Sequence, residues 1–317
     1  MRILVTGGRG YLGGRISKSL LNAGHEVKIT TRNTNSHSED DLELESASPD
    51  WSSVSELSKL CSGIDIVIHA AGINAINCQN DPASALEFNG NATGRLVDAS
   101  ERSGVKTFVY LSTAHVYSNT LSGFVDEDCP TNNEHPYATS NLLGESKLLS
   151  SSSKMNKHVI RLSNIFGSPE NRNADCWGLF VNDIAKQVAI QNSIVLTSDG
   201  TQVRDFVAMS DFLRLIDKIC KDRLNDKLPT LINFGSGKTN SLLEVAQKVR
   251  IQSSIVFGCY PQIVIGPKSQ KNISSEYVFG TKYPSLLGDY KINDMDQEIL
   301  ELLKFTKNNF RSDVRYE

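Results

Sequence analysis

The sequence is poor in the features that would point away from an ordinary globular chain. No apolar run approaches the roughly 20 residues needed to cross a bilayer, so a membrane span is not expected. The 6 cysteines, at 61, 78, 129, 176, 220 and 259, include no CxxC and have no histidine pair at zinc-ligand spacing. They read as scattered thiols in a reducing compartment rather than a disulfide or zinc framework. A formal charge of -3 and the lack of a dense Lys/Arg run leave no basic footprint for nucleic acid or anionic lipid. There is no internal repeat. Met1 leads at once into the strand-like "RILVTGG", which leaves no room for a leader, and a cytoplasmic location is expected.

Short apolar runs bounded by Gly, Asn or Asp alternate with stretches of helical period, the pattern of βαβ units. Strands are expected at 2–7, 26–31, 64–71, 106–113 and 158–166, with helices near 11–23, 52–61, 83–103 and 137–153. The strands at 64–71 and 106–113 are almost continuously apolar, as strands covered on both faces must be. The expected fold is α/β: a doubly wound parallel sheet of the Rossmann type with a smaller, interleaved C-terminal lobe. The boundaries expected are 1–166 plus about 204–238 for the sheet domain, and about 167–203 plus 239–317 for the lobe. Within the lobe, Ser241 and Glu244 fit a capping box.

"RILVTGGRGYLGGRI" is the strongest signal. A strand runs into Gly7, Gly10 and Gly13 and then into a helix through Tyr11 and Leu12. That spacing gives a tight turn, close backbone approach to a pyrophosphate, and a helix N-terminus aimed at it. At the end of the second strand, where an acid would grip the adenosine 2′-hydroxyl, stand Thr31 and Arg32, with Arg9 inside the turn. No acid repels a 2′-phosphate and two guanidiniums are available, so NADP(H) is favoured, with NAD(H) the alternative.

Seven segments, "TGGRGYLGG", "DIVIHAAG", "NGNATGRLVDAS", "FVYLSTAHVY", "HPYATSN", "RLSNIFG" and "QVRDFV", occur in an order that resembles the extended short-chain dehydrogenase/reductases acting on nucleotide sugars. The likeness covers residues 2–207 and extends more weakly to "INFGSG". It implies a nucleotide-sugar substrate and a homodimer. By this resemblance Asp65 is the acid at the adenine end, and Ala70, Ala71 and Gly72 pass the cofactor. Asn91 is the asparagine that braces the active-site strand and helix, and Thr113 and Tyr137 are the catalytic hydroxyl pair. The same pair makes chemical sense, because a positioned phenol exchanges a proton during hydride transfer while a second hydroxyl fixes the substrate oxygen.

One position departs from the family: four residues after Tyr137 a lysine is usual and Asn141 stands instead. Free tyrosine has a pKa of about 10 and needs a cation to ionise near neutrality. Lys147 lies on another helical face. Three outcomes follow. Tyr137 works while weakly acidic, best in the reductive direction; or another carrier such as His115 or His135 is used; or the chain binds cofactor with catalysis slow or lost.

On the substrate side the resemblance assigns Asn164 to the substrate phosphates and puts Trp177, Phe180 and Asn182 where the base and sugar are held, although the two aromatics are expected to be core packing. Arg204 is the best guanidinium for a diphosphate clamp. The Asp–Glu pair that follows the catalytic Thr in dehydratases is replaced by Ala114 and His115, which argues against 4,6-dehydration. The reading is an NADP(H)-dependent oxidoreductase of a nucleotide-linked sugar. An NAD-dependent 4-epimerase and a catalytically impaired regulatory or scaffold protein are the alternatives.

Overall fold

The computed structural model describes residues 1–32, 44–118, 121–152, 154–221, 229–268, 277–284 and 295–311. The chain divides into two compact units. One comprises Met1–Asn119, Cys129–Leu162 and Leu215–Ile232; the other comprises Thr120–Asp128, Ser163–Arg214 and Asn233–Glu317.

In the first unit the order is β1 (Arg2–Thr6), α1 (Tyr11–Asn22), β2 (Glu26–Thr30), β3 (Glu45–Ala47), α2 (Val54–Cys61) and β4 (Ile66–His69). Then come α3 (Ala75–Asn80), α4 (Pro82–Ala85), a π-helical turn (Leu86–Ala92), α5 (Thr93–Arg102) and β5 (Thr107–Thr113). After β6 (Gly123–Val125) of the second unit follow α6 (Pro136–Leu149) and β7 (Asn156–Leu162). With β11 (Leu231–Phe234) these build a seven-stranded sheet in the order β11-β7-β5-β4-β1-β2-β3. The pairings from β3 through β7 are all parallel. β4 is buried at every position, as its apolar run foretold. One face of the sheet packs Leu4, Val67, Phe108 and Val159 with Leu57 and Leu96 of the helices into a core.

In the second unit β10 (Val203–Ala208) lies between β8 (Asn164–Phe166), to which it is parallel, and β12 (Thr239–Ser241), to which it is antiparallel. Two further parallel pairs form, β9 (Ser193–Val195) with β13 (Gln262–Val264), and β6 with β14 (Tyr277–Phe279). Helices α7 (Phe180–Gln191) and α9 (Leu242–Phe257) and a helix at Met295–Phe310 enclose a core of Ile184, Phe206, Val245 and Leu302. The capping box at Ser241 and Glu244 forms, starting α9. Helix α8 (Met209–Lys221) follows β10.

Three expectations change. The strand expected at 158–166 divides at Ser163, whose amide donates to the Phe234 carbonyl and whose hydroxyl donates to Asp205, so β8 joins β10 instead of prolonging β7. The boundaries also move: β10 was expected in the sheet domain, but its partners β8 and β12 put it in the second unit, which also takes in Thr120–Asp128. Finally, the single helix expected at 83–103 is interrupted by the π-helical turn. No helix among the described residues is long and apolar enough to cross a membrane.

Candidate active site

The glycine turn is shaped by backbone packing. Gly7 has φ +65, and a Cβ there would lie 3.0 Å from the Ala71 Cα; a Cβ on Gly13 would lie 2.2 Å from the Gly7 carbonyl oxygen. Only glycine allows the helix to start this close to the strand. Thr30 at the end of β2 accepts the Gly7 amide through Oγ1 at 3.1 Å and the Gly8 amide through its carbonyl at 3.0 Å. Helix α1 then opens at Tyr11 with Gly10 before it and no side chain capping it. First-turn amides have no intrahelical acceptor, and the dipole end is positive, so the turn fits the pyrophosphate of a dinucleotide.

Ala70 and Ala71 follow β4 at this same edge, both amides donating to Thr6 Oγ1 at 3.1 Å, with Gly72 exposed beyond them. Arg9 is half-buried in the turn and Arg32 is exposed just past β2. Asp65 does not belong here. It precedes β4 at the opposite edge of the parallel sheet, where it accepts the Arg2 amide at 3.0 Å and pairs with Lys106 at 2.6 Å; the Lys106 bond in particular holds its carboxyl below the usual range. Among the described residues, an acid at the edge of the glycine turn is Asp50, which follows β3 and binds the amide and hydroxyl of Ser52 at 2.8 and 2.7 Å. The short strand β3 was not recognised in the sequence; recognising it would have directed attention to "PDW".

Thr113 ends β5 and Tyr137 lies in the first turn of α6. The helix start is fixed by Pro136 at the first helical position and by His135 Nδ1, which accepts the Tyr137 amide at 3.1 Å. Burial pushes the Tyr137 phenol above its ordinary value, and a hydrogen bond with the Thr113 hydroxyl partly offsets this. Thr113 Oγ1 also accepts the His115 amide at 3.1 Å. The exposed His115 ring meets the Tyr137 ring edge-on, with centroids 5.9 Å apart. The structure thus brings together the two hydroxyls and an imidazole at the sheet edge that carries the glycine turn.

Asn141, buried in the same helix, is engaged within the protein. Its Nδ2 donates to the Tyr137 carbonyl at 2.7 Å and its Oδ1 accepts from the Tyr110 hydroxyl at 3.1 Å. The carboxamide therefore braces the helix. Asn91 is a second correction: it is exposed and donates to Glu87 at 2.9 Å. The brace is Asn89, 3% exposed, which accepts the Ile73 amide at 2.8 Å and donates to Ser140 Oγ at 3.1 Å. Both residues lie in the π-helical turn, where i→i+5 bonding widens the turn and changes which residues face inward.

Behind the pair, Arg161 of β7 forms a buried fork with Glu145 of α6, Nε to Oε1 at 3.0 Å and Nη2 to Oε2 at 2.6 Å. Ser112 donates to Glu145 at 2.5 Å, and Arg161 donates to the Tyr117 hydroxyl at 2.8 Å. This cluster locks α6 onto β5 and β7. Its residue types, not any motif, are the signal that was available in sequence.

In the second unit Asp205 of β10 is almost fully buried and takes hydrogen bonds from Ser163 Oγ at 2.6 Å, Ser236 Oγ at 2.8 Å and the Ser236 and Lys238 amides at 2.9 and 3.2 Å. Desolvation nevertheless leaves its carboxyl raised. Alternation along β10 directs Arg204 to the other face, half-buried, with Nη1 donating to the Val203 carbonyl at 2.9 Å. Asn164 is half-buried and donates to the Asp205 carbonyl at 2.8 Å. Asn182 is corrected as a substrate contact: it is 0% exposed, and its carboxamide is spent on Gly167, accepting the amide at 3.3 Å and donating to the carbonyl at 2.9 Å. Trp177 packs edge-on against Phe310 at 4.9 Å and Phe180 against Phe206 at 6.0 Å, so both aromatics are packing residues.

A family model described as the NAD dependent epimerase/dehydratase family matches residues 3–235. The chain belongs to that family. Like the rest of this epimerase/dehydratase family, it is an enzyme of the extended short-chain dehydrogenase/reductase type. The UDP-glucose 4-epimerase of Bacillus subtilis (strain 168) is 29% identical over 275 residues, 78% of this chain and 80% of that protein. Among solved structures, MoeE5 in complex with UDP-glucose and NAD superposes with a TM-score of 0.78 at 22% identity, over 97% of this chain and 99% of that one. TunA, an NAD dependent NDP-hexosamine 5,6-dehydratase, gives 0.81 at 21% identity, over 99% and 100%. Within this epimerase/dehydratase family the fold is a Rossmann-like parallel sheet with flanking helices, as the seven-stranded order requires.

Proposed function

We propose that the chain exchanges hydride at a ring carbinol of a UDP-linked hexose, with NAD(H)-dependent 4-epimerisation as its leading reaction. The observation that carries this reading is the Thr113 and Tyr137 hydroxyl pair, set beside each other with the His115 ring against Tyr137 at the edge that bears the glycine turn. The UDP-glucose 4-epimerase relatives support the choice of substrate class.

A bound nicotinamide supplies the hydride acceptor and donor. Gly7, Gly10 and Gly13 with the first amides of α1 hold the pyrophosphate, and Asp50 is the proposed acid toward the adenosine. Thr113 fixes the oxygen of the reacting carbinol while Tyr137 takes or returns its proton at Oη. In the second unit Arg204, with Asn164, is the proposed partner for a nucleotide diphosphate. A cytoplasmic homodimer completes the proposal, and size-exclusion chromatography with light scattering tests the dimer.

A second reading, reduction of a keto sugar with NADP(H), is favoured by one observation: Tyr137 is raised by burial and has Asn141 where a lysine would lower it, which keeps the phenol protonated. The deciding experiment titrates the protein with both dinucleotides and then follows UDP-glucose and UDP-galactose without further cofactor. Interconversion supports epimerisation. Consumption of NADPH with a UDP-4-keto-hexose and no interconversion replaces it with reduction. Binding of cofactor with no turnover of any nucleotide sugar overturns both in favour of a regulatory or scaffold protein.

A further inference from the structure

A buried line of hydrogen bonds runs from the residues behind the glycine turn to the first turn of α6, and its direction can be worked out donor by donor. Thr6 Oγ1 accepts the amides of Ala70 and Ala71, each at 3.1 Å. With both lone pairs used, its own proton goes to His69 Nδ1 at 2.7 Å. A neutral imidazole that accepts at Nδ1 carries its proton on Nε2, and that group lies 2.9 Å from Thr93 Oγ1. The Thr93 hydroxyl donates in turn to the Asn89 carbonyl at 2.7 Å. From Asn89 the side chain continues to Ser140 Oγ at 3.1 Å, and Ser140 donates to the Tyr137 carbonyl at 3.2 Å.

Thr6, His69, Thr93 and Ser140 are each no more than 1% exposed and Asn89 is 3% exposed. The imidazole is stacked on Tyr110 at 5.6 Å and walled by Trp51 at 5.9 Å and Phe108 at 6.1 Å. Burial pushes its pKa down to about 3, so it stays neutral. A protonated ring would turn Nδ1 from acceptor to donor, and Thr6 would have to release an alanine amide to receive it. Every link is therefore satisfied in one protonation state and one tautomer only.

We propose that His69 is a positioning residue, fixed as the neutral Nε2–H tautomer, which couples the placement of Ala70 and Ala71 at the cofactor edge to the placement of Tyr137. The coupling rests on the reading of Tyr137 as the proton carrier. It acts without touching substrate: a shift of the alanine backbone moves Thr6, the imidazole follows because both of its nitrogens are held, and Thr93, Asn89 and Ser140 pass the shift to the carbonyl of Tyr137.

Two measurements test it. In the 15N spectrum of histidine-labelled protein, His69 is expected to show a protonated Nε2 and an unprotonated Nδ1, with no change from pH 8 to pH 5; the opposite tautomer or a titrating ring overturns the proposal whether or not the enzyme turns over. For the second, Thr93→Val removes the acceptor of Nε2–H at constant shape and Thr93→Ser restores it. Assayed at a temperature where each is fully folded, Thr93→Val is expected to lower kcat roughly 10- to 100-fold, as small misplacements of a catalytic group do, with KM within about twofold. Thr93→Ser is expected to recover kcat to within about threefold. Unchanged kcat in folded Thr93→Val, with only a lower melting temperature, reduces the line to a structural one. If Tyr137→Phe leaves turnover intact, the reading of Tyr137 falls, while the tautomer result still stands or fails by itself.

Discussion

The glycine turn and the wall of α6 differ in what holds them. The turn is a backbone object: Gly7 and Gly13 touch through main-chain atoms and the ligand-facing groups are amides. The wall is a side-chain object, in which Asn89, Tyr110, Ser140 and Asn141 each spend specific polar groups on one another. A backbone object announces itself in sequence because only one residue type satisfies its sterics. A side-chain object depends on which faces the helices present, and those faces depend on the helical period.

The sharpest break in that comparison is Gly13→Ala. Its Cβ would meet a carbonyl oxygen that cannot swing away, so the backbone of the turn has to move. A cost of about 3 kcal/mol is expected in urea unfolding, together with loss of dinucleotide binding by calorimetric titration. Next comes a paired test of the wall. Asn89→Ala leaves the Ile73 amide without its acceptor and is expected to cost about 1–3 kcal/mol, whereas Asn91→Ala on the exposed face should stay within about 0.5 kcal/mol. Equal losses would mean the π-helical turn does not set the inward face. The mildest change is Asn141→Lys. A raised phenol pKa keeps Tyr137 neutral through pH 7 and makes oxidation climb toward alkaline pH; an added ammonium favours the phenolate. The alkaline limb of oxidation should move to lower pH by roughly one unit or more, read from a pH–rate profile. A profile that does not move means that Tyr137 is not the group being titrated.

The comparison also explains what was legible. The strands, the parallel sheet and the turn could be read because apolar runs and glycine spacing are local signals. Thr113 and Tyr137 were picked out by the resemblance, and the end of β5 and the start of α6 bring the two side by side. Asn91 was taken for the brace because a motif counts residues, and the π-helical turn changes which of them face inward. Asp65 was misassigned for a different reason: its position at the wrong edge of β4 follows from strand polarity, and an acid at the other edge among the described residues, Asp50, lies beyond a three-residue strand too short to register. Asn182 carried no sign that its carboxamide would be consumed by Gly167, across the loop that joins β8 to α7.

Arg32 stands exposed just past β2, while its neighbour Thr30 does the work of tying down the glycine turn. The backbone amides of the turn suit the pyrophosphate that every nicotinamide dinucleotide shares, so they are neutral toward the choice among them. Arg32 can therefore change without disturbing the hydrogen bonds that hold the turn.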